Sequence, residues 1–569
     1  MKNAEIAQVF REIASILEIK GENVFRIHAY ERAAQNIEGL TENIEGLYRA
    51  GRLREVPGIG KDLANRIEEF IRSGKIKVYE ELKKSIPAGL LGLLKIPSVG
   101  PKTAKLLYDK LKIKGVSDLE AAIRKNKLTG IFGIKEKTIE NILKGIAILK
   151  RGKERMTLPQ ATFVAEEFVS ALWNMPEVKK ISVAGSLRRQ KETVRDIDIL
   201  VTSNKPEKIM SAFTGIPSVK DILAKGQTKA SVRTKEDVQV DCRVVEQGSF
   251  GAALLYFTGS KNFNIKLRQI AIRKGLKLNE YGLFRKDKFI SGKTEEEMLK
   301  GLGLSYIEPE LREDNGEIEL AKKSKLPSLV ELKEIKGDLH VHSLWSDGNN
   351  SIEEMSSAAK KLGYSYIAST DHSQGLKVAG GLDLRDLKRK KSEIEALNKK
   401  LKGFRILYAT EVDIDSEGRI DYKDEILKGF DIVVAAIHSG FKQSKQQLTR
   451  RMIKACSSKY VHIIAHPTGR LWGVRDAYDI DTEEVLKAAS DTNTYMEINA
   501  FGQRLDLNDQ NCRRAKELGV KVAINTDSHE KSQLESMKFG VSIARRGWLS
   551  KEDVINTLPL DELLKAIKK

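Results

Sequence analysis

From Gly337 to the end of the chain, short apolar runs rich in β-branched residues recur between stretches of helical periodicity. Parallel strands need helical crossovers, so this alternation argues a parallel α/β barrel. The runs stop at residue types that bind metals. Asp338-Leu339-His340-Val341-His342 is followed by Ser346-Asp347-Gly348. Residues 367–370 lead into Asp371-His372, 406–410 into Glu411, 432–437 into His438, 462–465 into His466-Pro467, and 522–526 into Asp527-Ser528-His529. Barrel enzymes keep their sites at strand C-termini. The chain has 8 histidines, and six stand at these ends. One such histidine would more often be core or surface; six beside carboxylates are not incidental. His462 lies inside its run and reads as structural. Mixed imidazole and carboxylate donors suit Zn²⁺, Mn²⁺ or Fe²⁺ better than Mg²⁺ alone.

A second centre is written into the stretch from Val183 to Val201. A small-residue turn, Gly185-Ser186, offers backbone N–H groups and a hydroxyl to a phosphate. It precedes Arg188 and Arg189 and then an alternating strand, Asp196-Ile197-Asp198-Ile199. Side chains two apart on a strand share a face, so Asp196 and Asp198 lie together and repel unless a cation sits between them. Mg²⁺ is bound this way, with phosphate oxygens completing its shell. A further alternating run, Gln239-Val240-Asp241-Cys242-Arg243, supplies Asp241 as the natural third carboxylate. A solvated acidic edge strand is the plainer alternative for a lone Asp-x-Asp, but the glycine-serine turn and the arginines favour a metal–triphosphate site.

The first 150 residues read as short helices. Val56-Pro57-Gly58-Ile59-Gly60-Lys61 has the form of a helix-hairpin-helix, in which a glycine turn feeds a helix whose first N–H groups hold one phosphate. Ile96-Pro97-Ser98-Val99-Gly100-Pro101 repeats it, and Ile131-Phe132-Gly133-Ile134 is a degenerate third copy. Three such hairpins point to DNA, through Gly58, Gly60, Val99 and Gly100. The charge agrees. Residues 1–150 carry 28 Lys and Arg against 19 Asp and Glu, residues 151–336 carry 34 against 26, and residues 337–569 carry 37 against 34. Nearly all of the net +20 lies ahead of the barrel, as expected for a polyanionic partner. Residues 1–10 are charged and lack the shape of a secretion signal, residues 86–96 are too short to span a bilayer, and the 3 cysteines form no motif. A cytoplasmic, nucleoid-associated monomer without membrane attachment is expected.

Gly185-Ser186, Asp196-x-Asp198, Asp241 and above all Tyr256-Phe257-Thr258-Gly259-Ser260 resemble family X DNA polymerases. The barrel ligands resemble the PHP (polymerase and histidinol phosphatase) domain. That resemblance implies three metals on nine positions: His340, His342, Asp347, His372, Glu411, His438, His466, Asp527 and His529. Together they resemble the bacterial and archaeal family X polymerases with a C-terminal PHP domain. The implied architecture is multidomain. Helix-hairpin-helix domains occupy 1–85 and 86–152, an α/β nucleotidyltransferase palm 153–247, an α+β thumb 248–309, a charged linker 310–336 and a distorted (β/α)7 PHP barrel 337–569.

The resemblance implies gap-filling synthesis from dNTPs on gapped or primer-template DNA, with Mg²⁺ or Mn²⁺ on Asp196, Asp198 and Asp241. Gly185, Ser186, Arg189 and Arg195 are expected to hold the triphosphate, and Tyr256, Phe257, Gly259, Asn264 and Arg268 to contact the nucleotide. The barrel is expected to trim 3′ ends as a 3′→5′ exonuclease, phosphodiesterase or AP endonuclease with up to three Zn²⁺, Mn²⁺ or Fe²⁺ ions. Where relatives with 5′-deoxyribose phosphate lyase activity carry a Schiff-base lysine, this chain has Arg66, which stays protonated and cannot serve as the amine. Two other readings remain at this stage: a nucleotidyltransferase for a small molecule or RNA, and a barrel that is a small-molecule phosphatase or purely structural.

Overall fold

The computed structural model describes residues 2–568 apart from 39–43, 57, 88, 95, 97–98, 130, 132–133, 135, 137, 141, 144–145, 147–154 and 473–476. It forms two compact units, Met1–Arg155 and Met156–Lys569. No helix of the described residues is long and apolar enough to cross a membrane.

The first unit is helical. Helices Lys2–Lys20 and Val24–Glu38 pack along each other, with Phe10 and Tyr30 meeting edge to face at 5.4 Å. Ile13, Leu17, Ile67, Leu90 and Leu107 are buried in one core that also takes in the later helices. Two of these, Lys61–Ser73 and Pro101–Leu111, start in the same way. Each has a glycine at its N-cap in extended conformation, Gly60 and Gly100, with no side-chain cap. Each is preceded by a tight turn, closed by Ile59 N–H to Val56 O at 3.0 Å and by Val99 N–H to Ile96 O at 3.0 Å. The expected third hairpin rests on Phe132, Gly133, Lys135 and Lys137, which lie outside the described residues.

After a short strand, Met156–Thr157, and helix Leu158–Trp173, the second unit forms a five-stranded sheet. Its strands are β1 (Lys180–Val183), β2 (Asp196–Thr202), β3 (Val219–Lys225), β4 (Lys229–Thr234) and β5 (Gln239–Val245), in the order β1-β2-β5-β4-β3. Only β2 and β5 are parallel, and Asp198 is paired with Asp241 across them. The alternation in β2 buries Ile197 and Ile199 and leaves Asp196 and Asp198 half-exposed on the other face. Helices Phe250–Thr258 and Lys261–Arg273 follow, then a three-stranded antiparallel sheet over residues 277–291 and helix Glu295–Gly301.

Residues 310–336 are not a linker. A 3₁₀ turn at Pro309–Leu311, helix Glu317–Lys322 and a 3₁₀ turn at Leu332–Glu334 pack against their neighbours. Leu311, Ile318, Ala321 and Leu329 join the same core as Phe263, Leu267 and Leu299. Two of the charges that looked solvated are paired. Arg312 is fully buried and forks onto Glu295, with Nη1 to Oε1 at 2.5 Å and Nη2 to Oε2 at 3.2 Å. Glu310 accepts from Arg545 at 2.7 Å.

The C-terminal barrel has seven parallel strands in chain order: β6 (Gly337–Val341), β7 (Tyr366–Ser369), β8 (Arg405–Asp413), β9 (Ile432–Ala436), β10 (Ile463–Ile464), β11 (Tyr495–Asn499) and β12 (Val522–Asn525). The first and last strands meet through His342 N–H to Ser528 O at 2.8 Å and Leu339 N–H to Asn525 Oδ1 at 3.2 Å, so the sheet closes on itself. Crossover helices start on side-chain caps, for example Ser351 to Glu354 N–H and Asp383 to Arg385 and Asp386 N–H. The palm sits directly on the barrel: Arg470 donates to Glu192 at 2.6 Å, Ser542 to Gln190 at 3.0 Å, and Arg546 to the Arg189 carbonyl at 2.7 Å.

Candidate functional site

The palm brings Asp196, Asp198 and Asp241 to one sheet face, because β2 and β5 run parallel in register. Carboxylates gathered on one face repel one another unless positive charge lies between them. Burial, then Asp196 and Asp241, push the Asp198 carboxyl up to about 7. Gly185 backs this cluster at φ +62°, and a Cβ there would collide with Asp198 Oδ2. Three hard oxygen donors with a shared need for positive charge fit a divalent cation. Of the expected triphosphate ligands, Ser186 is half-buried in the short helix Gly185–Arg188. Arg195 is exposed, 3.3 Å from Asp196.

Arg189 is held by neighbouring segments. Its Nε donates to Glu313 at 3.0 Å, its Nη1 to the Thr258 carbonyl, and Glu313 is also held by Arg546 at 3.1 Å. Tyr256, Asn264 and Arg268 line one small pocket with Leu278 and Asn279, and Asn264 donates to Tyr256 O at 2.7 Å. Phe257 lies under Arg243, 4.5 Å from the ring centre.

In the barrel all nine expected residues converge. His340 and His342 close β6, His372 follows β7, Glu411 lies near the end of β8, His438 follows β9, His466 follows β10, and Asp527 and His529 follow β12. Candidate ligand atoms fall into three groups, each within 4.8 Å: His342, Asp347, His372 and His529; His340, His342 and Asp527; His372, Glu411 and His438. His466 Nε2 is 3.1 Å from Glu411 Oε1. The floor is buried, while Asp347 and His529 are each about a third exposed at the rim. His466 and Asp527 have φ +27° and +53°, on the side of the backbone map that non-glycine residues seldom adopt.

The donor chemistry fits cations. Burial pulls His340 down, but Glu497, Asp527 and Glu411 reverse this and hold it well above the ordinary histidine range. Burial, His372 and His529 push His342 down to about 4. Burial opposes the charged form of Glu411, yet His438, His372 and His340 hold it well below the ordinary carboxylate range. Ring nitrogens of His340, His342, His372 and His438 are buried without a well-directed hydrogen bond, although carboxylate oxygens lie 2.9 to 3.6 Å away. Imidazoles aimed at carboxylates without closing hydrogen bonds are what a set of metal ligands requires.

Sequence reading missed Glu497 on β11. It is fully buried, accepts from His340 Nδ1 at 2.7 Å and from His466 N–H at 2.7 Å, and is held by Asn499 and Asn525 at 3.0 Å. A carboxylate on one ring nitrogen orients the other. The signal was present, since Tyr495-Met496-Glu497-Ile498-Asn499 is a seventh apolar run with a carboxylate inside it. Asp413 is a second omission, accepting from His438 N–H at 3.2 Å.

In the first unit, Gly60 and Gly100 have open space where a Cβ would stand, and the first-turn N–H groups beyond them carry no side-chain cap. Arg66 is half-buried on the first of these helices.

Comparison with known proteins agrees with this arrangement. Residues 1–76 match a helix-hairpin-helix domain, 90–147 a SAM-like helix-hairpin-helix tandem, 253–313 the DNA polymerase beta thumb and 338–501 the PHP domain. The chain is 39% identical to the DNA polymerase/3'-5' exonuclease PolX of Bacillus subtilis (strain 168) over 573 residues, 100% of each protein. Over 39% of its length it is 32% identical to a probable phosphatase of Thermoanaerobacter sp. (strain X514), covering 89% of that protein. Over 34% of its length it is 34% identical to a probable phosphatase of Caldanaerobacter subterraneus subsp. tengcongensis, covering 75% of it.

Proposed function

The chain belongs to the family X DNA polymerases with a C-terminal PHP domain, and we propose that its two centres divide the work between the palm, which adds nucleotides, and the barrel, which trims 3′ ends. It is a DNA-directed DNA polymerase and a 3′→5′ exonuclease that depends on divalent metals and binds DNA through its helix-hairpin-helix and thumb regions. The finer assignments are ours. Asp196, Asp198 and Asp241 hold Mg²⁺ or Mn²⁺, and Asp241 helps take the primer 3′-hydroxyl proton. Ser186, Arg189 and Arg195 hold the triphosphate. Tyr256, Phe257, Gly259, Asn264 and Arg268 contact the incoming dNTP. Gly58, Gly60, Val99 and Gly100 grip backbone phosphates without reading sequence. The natural setting is a short gap in cytoplasmic, nucleoid DNA.

In the barrel, His340, His342, Asp347, His372, Glu411, His438, His466, Asp527 and His529 hold up to three Zn²⁺, Mn²⁺ or Fe²⁺ ions. Such ions supply an activated water and neutralise phosphoryl oxygens. The residues themselves fix the ion positions, and the half-exposed Asp347 and His529 frame the rim where a phosphodiester enters. The observation that carries this reading is the register pairing of Asp198 with Asp241, which makes a palm site independent of the barrel. Asp198→Ala tests it: gap filling is expected to vanish while DNA binding and dNMP release persist. Retained synthesis would mean the site lies elsewhere.

A further inference from the structure

The barrel is nearly neutral, with 37 Lys and Arg against 34 Asp and Glu, yet helix Leu384–Lys400 alone carries seven basic residues against three acidic ones. Without this helix the barrel would be slightly acidic. Its buried face is Leu387, Lys390, Ile394 and Leu397, and Lys390 is spent on the buried Asp371 at 2.8 Å. The remaining cations face outward, and Arg385, Lys388 and Arg389 occupy its first two turns.

That end of the helix lies by the metal centre. The loop leading into it leaves His372 and returns to it, with Leu382 N–H donating to His372 O at 2.9 Å. Arg389 lies 5.4 Å from the centre of the Trp345 ring, and Trp345 Nε1 donates to Glu393 at 2.8 Å. Trp345 and its neighbour Leu344, which is 64% exposed, sit in the loop between His342 and Asp347. The acidic partners of this patch are weak ones: Asp383 and Asp386 are 3.5 Å from Arg385 and Arg389, all on exposed side chains.

We propose that the start of this helix, with Leu344 and Trp345, is the surface that carries the 3′-terminal segment of a single DNA strand to the barrel's metal centre. This rests on reading the barrel as the 3′-exonuclease. A row of cations neutralises successive phosphates, and the exposed Leu344 beside the half-buried Trp345, over whose ring Arg389 lies, gives an apolar contact to unpaired bases, whose faces are free. A duplex hides those faces and gains less from such a surface.

The test uses the full-length protein with Arg385→Glu, Lys388→Glu and Arg389→Glu combined, against a control with Lys399→Glu and Lys400→Glu at the far end of the helix. Three readouts are compared: dNMP release from a single-stranded oligonucleotide over a salt series, hydrolysis of thymidine 5′-monophosphate p-nitrophenyl ester, and gap filling. The triple variant is expected to raise KM for the oligonucleotide about tenfold or more and to flatten its salt slope by about 2, near 0.7 per lost phosphate contact. Ester hydrolysis and gap filling are expected to stay unchanged, and the control to behave as wild type. An unchanged oligonucleotide KM overturns the proposal. So does an equal effect in the control, which would reduce it to net charge, and so does an equal loss on the ester, which would make the helix a support for the metals. Failure of the exonuclease reading looks different, because the wild-type protein would then release no dNMP in the assay.

Discussion

At Gly185 the backbone has φ +62° and a Cβ would strike Asp198 Oδ2. Gly185→Ala therefore incurs a left-handed backbone cost of about 1–3 kcal/mol and displaces the one palm carboxylate that burial and its neighbours push up to about 7. The expected result is a large fall in the rate of dNTP incorporation with dNMP release unchanged; normal incorporation would show that Asp198 tolerates the shift. Glu497 is the corresponding residue in the barrel. It touches no substrate position but holds His340 Nδ1 at 2.7 Å and His466 N–H at 2.7 Å. Glu497→Gln keeps the shape and removes the charge that favours a donating Nδ1–H. Metal affinity is expected to drop by about 10- to 100-fold, read by metal titration alongside circular dichroism to confirm an intact fold. Undiminished affinity would assign Glu497 to packing alone.

Element by element, what could be read from sequence followed how local its signal was. The alternation in residues 196–201 and 239–245 marked two strands, but the parallel register that sets Asp198 beside Asp241 is a tertiary fact. The barrel runs were legible because each leads into a histidine or carboxylate at the catalytic face; β11 went unread because only Tyr495 and Met496 precede Glu497, too short an apolar run to mark a strand. Residues 310–336 misled for the opposite reason. Their charges hide short apolar positions, and their partners are distant in sequence: Glu295 for Arg312, Arg545 for Glu310. Arg189, expected to meet a phosphate from its place after Gly185-Ser186, also pairs with Glu313, a partner contributed by that same misread segment.

This packed segment carries an acid-sensitive tie. Burial would raise the Glu295 carboxyl, but the hydrogen bond from Arg188 and the charge of Arg312 outweigh it and hold it at about 2. A carboxylate depressed in the fold contributes stability above its unfolded value near 4.3, and that contribution is lost as pH falls from there through about 2; it amounts to on the order of 3 kcal/mol. Glu295→Gln strands the fully buried Arg312 and is expected to cost about 3–5 kcal/mol. Urea unfolding followed by tryptophan fluorescence at pH 7 and at low pH checks both points. The gap between wild type and variant should narrow below pH 4, and a gap constant with pH would assign the acid sensitivity to other carboxylates.

At the scale of the second unit, two chemistries share one compact body, in which the palm is held to the barrel through Glu192–Arg470 and Arg189–Glu313–Arg546. The ligand sets we propose for them are nonetheless disjoint. The proposed palm ligands are three carboxylates on one sheet face, and the proposed barrel ligands are six imidazoles with three carboxylates. His340→Ala with His342→Ala removes two fully buried ligands from the barrel floor and touches nothing in the palm. It is expected to abolish 3′ hydrolysis and spare synthesis, the converse of Asp198→Ala. Loss of 3′ nucleotides could instead arise from polymerisation running backwards in the palm. The two are separable by their products, because reversal consumes pyrophosphate and releases dNTPs, whereas hydrolysis needs none and releases dNMPs. If the histidine variant still releases dNMPs without pyrophosphate at the wild-type rate, the barrel is not the nuclease. If it loses dNMP release and Asp198→Ala loses only incorporation, the 3′ end is processed at two sites of one protein, each with its own metals.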